Sequence, residues 1–192
     1  MRIFCNLRIL APTAAAVMIG YGISAMAQTP EGRPHGDIAP RYSAPPAINP
    51  PRTAHDFTAG LIAYEKRDYA TALAIWWPLA VHGDPRSQSS LGFMYYSGLG
   101  VTRDDGQSLD WFRKAADAGQ ATAQFFLGLH YLFGRGLPRD AAMAHAWCDI
   151  AMTYGHEDAL YCREQAATSM KPGDALRSRE FAARFHREHP QR

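Results

Sequence analysis

LGFMYYSGLGVTRD occupies residues 91–104 and LGLHYLFGRGLPRD occupies residues 127–140. The stretches stand 36 residues apart and share Leu, Gly, Tyr, Gly, Gly, Arg and Asp at the same offsets. A period of that size marks stacked supersecondary units, each burying its apolar face against a neighbour. The same shift relates Gly83, Gly119 and Gly155, and again Ile75, Trp111 and Trp147. Each unit therefore reads as a first helix, a glycine turn, a second helix and a longer loop. Gly98 and Gly100 punctuate that loop in one copy, Gly134 and Gly136 in the next. Asp104 and Gln107 have the spacing of a capping box, and Asp140 repeats the cap without the glutamine.

Working outward, helical periodicity begins near Thr53, with Phe57, Leu61 and Tyr64 on one face. Asp68 is placed to cap the next helix, and Pro78 falls late in it, where it should kink or tighten the last turn. Asp84-Pro85 opens a third helix with a cap and a proline at the first helical position. At the other end the pattern frays. Arg163-Glu164 stand where the earlier copies have Leu-Gly, and Lys171-Pro172-Gly173-Asp174 leads into a last helix carrying Leu176, Phe181 and Phe185. Repeat arrays need atypical ends with a polar outer face, so both ends read as caps. The predicted domain covers residues 53–192, with units of about 69–104, 105–140 and 141–173 and a capping helix over 174–189.

Before it lie two segments of a different kind. Residues 1–27 combine Arg2 and Arg8, an apolar run over 9–23 and Ala25-Met26-Ala27, the pattern of a secretory signal cleaved before Gln28. Residues 28–52 hold seven prolines and few large apolar groups, which predicts an extended linker. The chain carries 20 Lys+Arg against 18 Asp+Glu, and loss of Arg2 and Arg8 leaves it formally neutral. Nucleic acid is excluded as an expected partner, because no positive field remains to attract it.

These residues resemble the Sel-1-like repeat family, a relative of the tetratricopeptide repeat. One unit supplies Ala115-Ala116, Gly119, Ala123-Gln124, Leu127-Gly128, Tyr131, Gly134, Gly136 and Asp140. The preceding unit supplies Leu79-Ala80, Gly83, Gln88, Leu91-Gly92, Tyr95, Gly98, Gly100-Val101 and Asp104. The resemblance covers about residues 69–140. It implies an all-α, right-handed α-solenoid of antiparallel helix hairpins with terminal capping helices. It also implies an adaptor or scaffold that binds a protein segment or envelope component, associated with complex assembly and envelope signalling, and needing no cofactor.

Cys148 and Cys162 remain after the predicted cleavage, seven residues on either side of Gly155. An oxidising compartment favours a disulfide. Helix axes ~8–10 Å apart favour two buried thiols, because a disulfide needs Cα atoms within about 4.4–6.8 Å. Some family members bridge the two helices of a repeat with a cysteine pair, usually nearer the turn than here. His145 could join the cysteines at a metal, but four convergent ligands are not evident. Asp104, Asp105, Asp110 and Asp117 are read as caps and solvated charges rather than as acid/base pairs. No nucleophile motif occurs, and the G-x-G sequences follow no strand, so phosphate loops are not expected. The chain is expected not to be an enzyme; the rival from another class is an envelope enzyme such as a cell-wall or β-lactam hydrolase. Trp77, Tyr96, Arg113, His130 and Phe133 occupy positions the repeat leaves variable, and they are the expected partner-binding groove.

Overall fold

The computed structural model describes residues 57–190, which form eight α-helices and, among the described residues, no strand. The expected leader and proline-rich linker lie outside the described residues. The helices are α1 (Phe57–Glu65), α2 (Tyr69–Val81), α3 (Pro85–Ser97), α4 (Asp105–Asp117), α5 (Ala121–Phe133), α6 (Ala141–Thr153), α7 (Ala159–Thr168) and α8 (Asp174–Glu188). Each of α1 to α6 packs on the next, while α8 packs on α6.

The period seen in the sequence is a period of local chemistry. Asp68, Asp104 and Asp140 cap the three first helices, each accepting a hydrogen bond from the backbone N–H three residues on: Thr71 at 3.1 Å, Gln107 at 3.0 Å and Met143 at 3.1 Å. The expected capping box at Asp104 forms in one half only. The Asp104 N–H donates to the Tyr95 carbonyl at 3.1 Å, as the Asp140 N–H donates to that of Tyr131 at 3.0 Å. The cap residue's own donor thus ties each loop back to the preceding second helix. Second helices α3 and α5 end at Gly98 and Gly134, both left-handed with φ 69°. Across the turns, Gln88 donates to the Ala80 carbonyl at 3.0 Å and Gln124 to that of Ala116 at 3.2 Å, both buried. Pro78 does not end α2, which runs on through Val81.

The Leu-Gly pair of the repeat is a packing notch. A Cβ at Gly92 would stand 2.8 Å from the Phe112 ring of the next first helix, and one at Gly128 would collide with the sulfur of Cys148. Gly60 of α1 meets Trp76 of α2 in the same way. The Asp68 N–H also bonds the Ala63 carbonyl at 2.9 Å, as its counterparts do with Tyr95 and Tyr131. So α1 plays the part of a second helix, joined to α2 by a shortened loop. At the other end α8 plays the part of a first helix, with Phe181 and Phe185 each 5.2 Å edge-on to Trp147 of α6. Among the described residues, then, the array opens on a second helix and closes on a first one.

Candidate functional site

The five residues expected to form one groove separate into three places. Tyr96 and His130 are interior, 6% and 0% exposed, and can offer a partner no surface. Their neighbours explain why. Arg135, in the loop after α5, donates to Asp105 at 2.8 Å and to the Tyr96 carbonyl at 3.0 Å, and its guanidinium lies 3.6 Å over the Tyr96 ring. Nδ1 of His130 donates to the Arg135 carbonyl at 2.7 Å, since a carbonyl can only accept. Nε2 is then left to accept from the Ser108 hydroxyl at 3.1 Å. Every polar atom of the ring is satisfied by the neutral form, and burial pushes its pKa down to about 4. Burial opposes the charge of Asp105, but hydrogen bonds from Arg103 and Arg135 outweigh it and hold that carboxyl below its usual range. The cluster locks the loop of one unit onto the helices of its own and the preceding unit.

Trp77 and Arg113 are one repeat apart, on α2 and α4, and so hold the same position on successive first helices. Trp77 is half-buried, edge-on to Trp111 at 5.7 Å. Arg113 is exposed and faces Asp110 at 3.9 Å, a separation at which an exposed pair constrains little. Lys114 lies 4.4 Å over the Trp111 ring. The next residue in this row, one the sequence reading missed, is Asp149 of α6, 3.2 Å from Arg163. The shift of 36 that joins Trp77 to Arg113 would have found it. Phe133 is 43% exposed but lies on the last turn of α5, a second helix, away from this row of first-helix positions.

Cys148 and Cys162 form a disulfide between α6 and α7 with Cα atoms 6.0 Å apart, and both side chains are buried. The hairpin is therefore closer there than ordinary helix spacing suggested, which its alanines allow: Ala144, Ala151, Ala159 and Ala166 are all fully buried. His145 does not reach toward the sulfurs to make a ligand set; its Nδ1 pairs with the Ser178 hydroxyl at 2.9 Å. No group of three or more metal-ligating side chains occurs among the described residues. The two serine–histidine contacts, Ser108–His130 and Ser178–His145, use serines that are 0% and 2% exposed. A buried hydroxyl cannot meet a substrate.

The Sel1 repeat model matches residues 85–120 and 121–151. A solved Sel1 repeat protein from Oxalobacter formigenes is 32% identical, with a TM-score of 0.51, over 58% of this chain and 90% of that one. The chain belongs to the Sel1 repeat family. A protective antigen of uropathogenic Escherichia coli with an SLR fold is also similar, at 26% identity and a TM-score of 0.66. That likeness covers 69% of this chain, which spans only 29% of the antigen's length. No curated protein sequence matches. The Sel1 frame begins at α3, so it counts a unit as a second helix plus the following first helix. That phase is shifted from hairpin units starting at Tyr69, but a linear repeat has no privileged start. Sel1 repeats are typically protein-interaction scaffolds.

Proposed function

We propose that this Sel1 repeat protein is an exported scaffold that holds a protein segment against its first-helix face. The row Trp77, Arg113 and Asp149 carries the proposal. The backbone beneath these positions is repeated cap for cap, while the side chains are an aromatic, a cation and an anion. Fixed geometry with variable chemistry is how repeat arrays build specific surfaces, and Trp and Arg are the side chains most often found as binding anchors. Phe133 and the interior pair Tyr96 and His130 are left out of this surface. Export is supported by the basic and apolar start of the chain and by the cysteine pair. Among the described residues no helix is long and apolar enough to cross a membrane.

A photo-crosslinking residue at position 77 or 113 tests the proposal in envelope fractions, with exposed Arg184 on α8 as the control site. Crosslinking to the same protein from positions 77 and 113, lost in Arg113→Ala or Trp77→Ala variants of unchanged helicity, is the expected result. Equal crosslinking from position 184 would place the contact elsewhere.

A further inference from the structure

The disulfide has an equivalent one repeat earlier, and it is not a disulfide. Subtracting the period from Cys148 and Cys162 gives Phe112 and Phe126. Those rings lie parallel, 4.8 Å apart, between α4 and α5. They are 0% and 4% exposed, against 0% and 1% for the two cysteines. The notch that receives them is repeated as well: Gly92 faces the Phe112 ring and Gly128 faces both sulfurs. In the first hairpin, α2 with α3, the equivalent pair is Trp76 and Ser90, and Trp76 stacks instead on Phe57 of α1 at 5.6 Å. The second hairpin is thus closed by aromatic rings, and the third by a covalent bond.

The side chains that α7 buries besides Cys162 are small. Its buried residues are Ala159, Cys162 and Ala166, whereas α5 buries eight, including Phe125, Phe126, Leu127 and Leu132. Its N-terminal Asp158 makes no side-chain cap hydrogen bond. The buried glutamine that bridges the earlier turns is replaced by Leu160, which is 42% exposed. One ion pair, Arg163 to Asp149, is partly exposed and adds little. By contrast, α8 is anchored to α6 through Trp147 rather than through α7.

We propose that the Cys148–Cys162 bond replaces the aromatic closure of the preceding hairpin, so that α7 docks on the array only in the oxidised chain. The third hairpin is then a redox-dependent element, while the first two fold regardless of redox state. Closure consumes an oxidant of the disulfide class. One cysteine thiolate attacks the oxidant's S–S bond, forms a mixed disulfide and releases one thiol. The other cysteine thiolate then displaces the second thiol, so the pair gives up two protons and two electrons in all. Because both sulfurs are buried once α7 is docked, this exchange takes place on the open hairpin, and reductants reach the bond only when α7 lifts.

Amide hydrogen exchange read by mass spectrometry tests this on the full chain, before and after reduction with a phosphine, using oxidised glutathione to re-form the bond. The reduced protein is expected to exchange at least tenfold faster over residues 159–168, with residues 105–133 unchanged and re-oxidation restoring protection. The Cys148→Ala/Cys162→Ala chain is expected to match the reduced protein without any reductant. A change below tenfold in α7 on reduction would overturn the proposal, as would an equal loss of protection across α4 and α5. So would two freely alkylated thiols in the chain as purified.

Discussion

His130 shows how one side chain can look like surface chemistry in a sequence and be interior in the fold. Its neutral ring is held between Arg135 and Ser108, and burial lowers its pKa from the ordinary 6.5 to about 4. Between those values the unfolded chain binds a proton that the folded chain refuses, so acidification favours unfolding. Stability from this group is complete above about pH 6.5 and is lost progressively as pH falls to about 4, by up to roughly 3 kcal/mol for the full shift. His145 and His156, also lowered chiefly by burial, act in the same direction. Urea midpoints at pH 7, 5.5 and 4.5 should fall in that order, and His130→Gln should flatten the slope. Nothing in the local sequence LGLHYLF separates a buried histidine from an exposed one. The decisive partner is a loop carbonyl five residues away, and it arrives only when the G-x-G turn closes.

At the scale of an element, the glycines that recur in register do different work. Gly155 is left-handed, φ 89°, with nothing within 4 Å of an added Cβ, whereas Gly136, φ 71°, would put that Cβ 2.8 Å from the Asp105 carbonyl oxygen. Alanine at 155 incurs only the left-handed penalty of about 1–2 kcal/mol. Alanine at 136 adds a backbone collision that a flexible side chain cannot relieve, so roughly 3 kcal/mol or more is expected, in the range of severe packing faults. Denaturant unfolding of the two variants checks the ranking, and equal losses would mean the loop yields. Caps, turns and helix bounds were largely legible beforehand because they depend on neighbours within four residues. Asp68, Asp84, Asp104 and Asp140 all cap as expected. The Arg135–Asp105 pair was not legible, because 30 residues separate two charges that are ordinary in themselves.

For the whole molecule, a linear array confines damage to neighbouring units. Phe185 is 4% exposed and packs edge-on to Trp147, Tyr154 and, stacked, His189. Phe185→Ala should remove about 3–5 kcal/mol of packing from that end. Tryptophan emission should shift to the red as Trp147 meets water, while exchange protection in α2 to α5 holds. Loss of protection throughout would show that the array folds as a single cooperative unit. The candidate surface was legible only in part: Trp77 and Arg113 belong to one row, Phe133 does not, and Asp149 was overlooked.

The sequence by itself determined the repeat, its hairpins and its atypical ends, because period, glycine turns and aspartate caps are local and recur at a fixed interval. Only the tertiary structure decided which of the variable residues face solvent. It also showed that α1 serves as a second helix and that two cysteines stand where the previous unit stacks two phenylalanines. Those facts depend on which face each helix turns to the next, and contacts between units set that face.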